Sequence, residues 1–164
     1  MNTKISQKLQ DYFELTKPRV TLMVVITALF GFYIGSQGTM DWLRLVNLLL
    51  GTALVAGGTS ALNHYIERDI DAKMARTKNR PLPTGRLEPD SALAFGVVIS
   101  ILGIFWLAVT VNWLTSALSA ATLASYIFVY TPLKQISSIS TIVGAVPGAL
   151  PPVGGWAAAR GELN

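Results

Sequence analysis

Asn63, Glu67 and Asp71 are spaced four residues apart. If the segment is helical, they lie on one face and cover about 12 Å of it. Two carboxylates and a carboxamide in that register offer hard oxygen donors. That donor type suits Mg²⁺, which is usually held by one or two carboxylates together with substrate phosphates. Within ten residues follow Arg76, Lys78 and Arg80, with Arg86 a little further on and Thr77 and Asn79 as further donors. Arginine binds phosphate bidentately and lysine binds it as a point charge. A metal and cations side by side are the natural way to hold a diphosphate. Asn63 would supply a neutral oxygen or a hydrogen bond to a metal-bound water, and Glu67 and Asp71 would supply the charge. Asp69 falls on another face, toward Lys73 or solvent. The plainer alternative is a solvated, salt-bridged helix end whose cations only set topology.

Other chemistries fit poorly. There is no cysteine and only one histidine, so thiolate zinc sites and a Ser-His-Asp arrangement lack their parts. That histidine, His64, reads as a packed or hydrogen-bonded residue, since the pattern supplies no second ligand beside it.

The acidic segment ends an apolar run, and the whole chain explains why. Of 164 residues 51% are hydrophobic and 13% charged, about half the charge of a soluble domain, and mean hydropathy is +0.47. The composition is that of a membrane protein, and ionisable groups at membrane depth tend to be functional. The net charge of +4 is explained by topology and anionic lipid or substrate contacts, with no nucleic acid required.

Five runs approach the length of a bilayer span: 20–35, 43–66, 91–111, 114–130 and 139–159. They predict an all-α, polytopic transmembrane bundle. Met1 to Arg19 is polar, and the first run reads as a retained span rather than a signal peptide. Cations cluster before the first span and between the second and third. The positive-inside rule therefore places the N-terminus and the Glu67–Asp90 loop in the cytoplasm, and the end of the chain outside. The second span is rich in small residues, which favours close helix packing. The fifth contains Pro147, Pro151 and Pro152 among four glycines. An interrupted helix that walls a pocket is expected there.

Three segments together carry a resemblance. They are Asn63-x-x-x-Glu67-x-x-x-Asp71 followed by Arg76-Thr77-x-x-Arg80-Pro81-Leu82-Pro83-x-Gly85, the opening Leu15-Thr16-Lys17-Pro18-Arg19-Val20, and the run from Gly144 to Trp156. The chain resembles the intramembrane aromatic prenyltransferases over nearly its whole length, and within them the protohaem IX farnesyltransferase (haem O synthase) branch. The resemblance implies a bundle of about nine spans, of which residues 1–164 would be the N-terminal part of one membrane-embedded domain. It implies Mg²⁺-dependent transfer of a farnesyl group from farnesyl diphosphate to a vinyl group of haem b, in a bacterial inner membrane. Haem-copper oxidase assembly factors are the protein partners it suggests. The metal-binding and catalytic role falls on Asn63, Glu67 and Asp71, and diphosphate binding on Arg76, Lys78 and Arg80. Tyr130-Thr131-Pro132-Leu133-Lys134 resembles a second loop signature, which adds Tyr130 and Lys134. The family also has a second acidic motif, whereas after Asp90 the only acid here is Glu162. Half of the metal site is therefore expected outside this sequence, whether it is a fragment or a short product. Rival readings are a quinone-pathway polyprenyltransferase and a non-catalytic transporter or haem-assembly subunit.

Overall fold

The computed structural model describes residues 2–163. It is a helical bundle: α1 (Asn2–Leu15), α2 (Pro18–Gly35), α3 (Trp42–Asp71), α4 (Pro89–Thr110), α5 (Trp113–Leu133) and α6 (Ser140–Arg160). Helices α2 to α6 are each long and apolar enough to cross a membrane, in agreement with the five expected spans. Side chains such as Phe30, Leu43, Phe105, Trp113, Phe128 and Ile142 point outward, each more than half exposed. They leave broad apolar surface for lipid or further helices, while Phe32, Leu48 and Leu107 fill the interior.

Helix α1 is not anticipated by the hydropathy pattern. It is anchored by polar contacts: Arg86 reaches Asp11 at 3.0 Å and Glu14 at 3.2 Å. Tyr12 also packs on Phe95, with ring centroids 4.9 Å apart. Arg86 thus pins α1 to the loop after α3, and it stands apart from the acidic face.

Helix α3 sets the geometry of everything else. Its 30 residues extend about 45 Å, well beyond an apolar core of about 30 Å. Asp41 caps its start by accepting from the Arg44 amide at 3.0 Å. Its last turns, from Asn63 to Asp71, emerge at the far end of the bundle.

The expected interruption of the fifth span is not observed: α6 is one continuous helix through Pro147, Pro151 and Pro152. Each proline removes a backbone donor, and packing against α2 compensates. A Cβ at Gly31 would strike the Pro152 carbonyl, and one at Gly155 would strike the Ala28 carbonyl. The two backbones therefore touch, which fixes the helix despite the lost hydrogen bonds. In α5, Pro132 likewise cannot donate, and the preceding stretch Ser125–Tyr130 widens into a π-helix.

Candidate functional site

The C-terminal end of α3 presents the acidic face as its sequence spacing requires. Asn63, Glu67 and Asp71 are 0%, 7% and 4% exposed, so none of them is a solvated helix end. Such burial is costly for a carboxylate unless it is paired, and both are paired. Lys134, just after α5, approaches Glu67 Oε1 at 2.5 Å. Arg80, in the loop after α3, donates to Asp71 Oδ2 at 2.6 Å. Asn63 holds Glu67 from the other side, donating from Nδ2 to Oε2 at 2.7 Å. The Thr131 hydroxyl lies 3.2 Å from Asn63 Oδ1 and 2.8 Å from the Tyr126 carbonyl. With its oxygen turned to Thr131 and its nitrogen to Glu67, Asn63 is arranged to orient the carboxylate.

The loop is folded over this face by specific contacts. Thr77 is buried and its hydroxyl donates to the Asp71 carbonyl at 2.9 Å, which satisfies an acceptor left open at the helix end. Pro81 and Leu82 are buried, and Leu82 packs with Leu15, Ala61, Leu87 and Ala92. Arg80 is carried inward as a result. Arg76 and Lys78, by contrast, are exposed. Among the described residues neither makes an ion pair or hydrogen bond to the acidic face. Asp69 points to solvent, with its side chain 84% exposed.

The structure adds a residue that the sequence offered as an orientation signal and within a family-like opening segment, with no site role assigned. Lys17 caps the start of α2 in the left-handed region, at φ 46° and ψ 66°, a backbone state that costs a non-glycine residue energy and often marks function. The charged groups facing it are Arg80, Glu67, Lys134 and Asp71. Burial pushes its ammonium down to about 8, and Arg80 and Lys134 push in the same direction against the two carboxylates. The signal available in the sequence was Lys17-Pro18, a cation fixed at a helix start. His64 is 2% exposed, and among the described residues neither ring nitrogen has a partner.

Three cations, Lys17, Arg80 and Lys134, thus surround two carboxylates, Glu67 and Asp71. The cluster carries a net charge of about +1 when all five are ionised. No group of three or more acids or histidines suited to a metal occurs among the described residues. The donor set therefore fits Mg²⁺ shared with a phosphate ligand, but not a metal held by this chain alone. Adding Mg²⁺ brings the cluster to about +3, which one fully ionised diphosphate monoester, at about −3, neutralises.

Of the cluster, Lys17 lines a cavity of about 650 Å³, within the range of small-molecule sites. Its walls come from α2, α3, α5 and α6, with Lys17, Tyr126 and Tyr130 at the charged end. Tyr130 lies 5.6 Å beneath Lys134 and 5.1 Å from the Tyr126 ring. Helix α6 contributes Gly144, Pro147, Gly148 and Pro151, so it walls a pocket as expected without being broken. The Gly144 position faces the Tyr130 ring, which a Cβ there would meet at 2.7 Å.

Known proteins resemble this chain in sequence and in fold. The chain is 48% identical to the "Protoheme IX farnesyltransferase" of Solibacter usitatus, over 95% of this chain and 56% of that protein. Proteins of the same name from Koribacter versatilis and Salinibacter ruber are 45% and 48% identical. They align with 98% and 95% of this chain, and with 53% and 55% of their own length. The chain therefore spans about half the length of the curated relatives it matches. A solved structure described as giving insights into "Digeranylgeranylglyceryl phosphate synthase in membranes" superposes with a TM-score of 0.80. It covers 91% of this chain and 52% of the other at 21% identity, a likeness of fold. Residues 24–164 match the UbiA prenyltransferase family, and with that match extending over most of the sequence the chain belongs to this family.

Proposed function

We propose that the chain forms the diphosphate-binding half of a farnesyltransferase acting on haem b. The observation that carries this reading is the buried cluster of Glu67 and Asp71 with Arg80, Lys134 and Lys17, whose Lys17 also lines a largely apolar cavity. Farnesyl diphosphate has the same polarity, an anionic head on an apolar tail. The relatives named protoheme IX farnesyltransferase support haem as the acceptor.

Glu67 and Asp71 would hold Mg²⁺ together with the diphosphate, with Asn63 keeping Glu67 in position. Bound there, Mg²⁺ would supply positive charge to the leaving diphosphate. Arg80 and Lys134 would turn from the carboxylates toward phosphate oxygens and, together with Lys17, stabilise the charge that develops on the leaving group. Tyr130, next to Lys134, would flank the head group. Arg76 and Lys78, exposed on the loop, would guide the anion toward the cluster by long-range attraction. In the reaction the C1–O bond of farnesyl diphosphate breaks and its electron pair leaves with the diphosphate. The vinyl carbon of haem b then attacks the allylic cation. Water adds to the adjoining carbon and loses a proton, giving the hydroxyethylfarnesyl group of haem O. The apolar walls would keep bulk water from the allylic cation.

The direct test incubates membranes containing the protein with haem b, labelled farnesyl diphosphate and Mg²⁺. Label should appear in haem O and vanish when Mg²⁺ is chelated. Label in 4-hydroxybenzoate instead would overturn the haem assignment, and no Mg²⁺-dependent transfer to any acceptor would overturn the enzyme reading.

Lys17 gives a separate check through pH. It is charged below about 8 and loses its proton as the pH rises further. Lys17→Met should therefore weaken binding of inorganic diphosphate about tenfold at pH 7. At pH 9.5, where the unaltered lysine is mostly neutral before binding, the difference should shrink to about twofold. An equal loss at both pH values would count against a charge role for Lys17.

A further inference from the structure

Away from the charged cluster the cavity runs toward a packed layer of the bundle. Thr52 of α3, Ser119 of α5, and Leu150 and Gly154 of α6 line the end away from the charged cluster. Behind them Phe32, Leu48 and Leu107 are at most 1% exposed and fill the bundle. The backbone contacts of Gly31 with Pro152 and of Gly155 with Ala28 draw α2 and α6 together at that level. Two hydrogen bonds seal α5 to α6. The Thr115 hydroxyl donates to the Gly154 carbonyl at 3.4 Å, and the Asn112 amide to the Ala157 carbonyl at 2.9 Å.

Above this floor the walls suit a hydrocarbon even though several residues carry hydroxyls. Thr21, Thr59 and Thr122 donate to the Thr16, Val55 and Leu118 carbonyls at 2.7 Å each. Their hydroxyls are satisfied by their own backbone and demand nothing of the occupant.

Thr52 lies eleven residues before Asn63 on α3, about 16 Å along the helix axis. An extended farnesyl chain, twelve carbons along its main chain, covers about 15 Å at ordinary bond lengths. The geometry points to Thr52, Ser119 and Leu150 as the residues that set isoprenoid length, admitting three isoprene units and refusing a fourth. A geranyl chain leaves the deep end unfilled. A geranylgeranyl chain is longer by about 5 Å and meets the packed layer of Phe32, Leu48 and Leu107. This length rule rests on the proposed prenyl diphosphate reading of the site.

The test measures binding of the geranyl, farnesyl and geranylgeranyl thiodiphosphates, which resist ionisation, to the protein in nanodiscs with Mg²⁺. Farnesyl should bind at least about tenfold more tightly than geranyl, from the extra apolar surface it buries. Geranylgeranyl should bind about tenfold more weakly than farnesyl, because its last unit has no room. Thr52→Leu should move the optimum to geranyl. Ser119→Leu, on a different helix, should do the same if the first variant fails to fold. Leu150→Ala should raise geranylgeranyl affinity to that of farnesyl. Geranylgeranyl binding as tightly as farnesyl in the unaltered protein overturns the length rule alone, as does an unmoved optimum in both folded leucine variants. Failure of all three probes to bind overturns the prenyl diphosphate reading, and the rule with it.

Discussion

Glu67→Gln is expected to lower Mg²⁺-dependent farnesyl transfer by about 10²- to 10³-fold, the usual cost of losing one charge-stabilising group in such a site. The substitution keeps shape and removes charge. Glu67 Oε2 would still accept from Asn63, so the helix end should stay in place. Lys134 would lose the partner it has at 2.5 Å, and the net charge of the cluster would rise by one. Diphosphate alone could then bind as well as before or better, while transfer falls. That split separates a metal-holding role from a purely structural salt bridge. A structural role predicts loss of folded protein and of anion binding together. The check is to measure kcat for transfer and the Kd for inorganic diphosphate on the same preparation. Asp71→Asn should behave similarly, since Arg80 pairs with it as Lys134 does with Glu67.

Gly155→Ala should destabilise the bundle by about 2–4 kcal/mol, although alanine is the better helix former by about 1 kcal/mol. The added methyl would meet the Ala28 carbonyl and the Phe32 amide nitrogen, which are backbone atoms and cannot rotate away. Gly154→Ala supplies the control on the same helix, because its Cβ would meet nothing within 4 Å. Thermal unfolding in detergent should show Gly155→Ala several degrees below the unaltered protein and Gly154→Ala at or above it. Equal melting of the two variants would contradict the close approach of α2 and α6. Gly31→Ala, which meets the Pro152 carbonyl from the other helix, should reproduce the Gly155 effect.

Much of this arrangement could be read from residue order. Membrane helices announce themselves by apolar length, and the four-residue spacing of Asn63, Glu67 and Asp71 fixes a shared face once the helix continues. Pairing across elements was harder to foresee. Nothing in the local sequence says that Arg80 turns inward while Arg76 and Lys78 face out. That choice follows from Thr77 bonding the end of α3 and from Pro81 and Leu82 being buried. Lys17 was hidden for a similar reason. A cation before a first span reads as an orientation signal, and only the tertiary fold places it opposite Arg80 and Glu67. The prolines of α6 were misleading because their cost is local, whereas the glycine contacts that offset it lie on α2. Helix α1 escaped because its anchor, Arg86, lies 72 residues away from Glu14.

Under the proposed function, Glu67 and Asp71 bind Mg²⁺ only together with a diphosphate, in a cluster whose charge the pair neutralises. The most direct measurement is a calorimetric titration of farnesyl thiodiphosphate into the protein with and without Mg²⁺. Binding should be tighter with Mg²⁺ by about 10²-fold, from one added divalent charge at the site. This increment should disappear in Glu67→Gln and Asp71→Asn. Equal affinity with and without Mg²⁺ in the unaltered protein would contradict this joint binding.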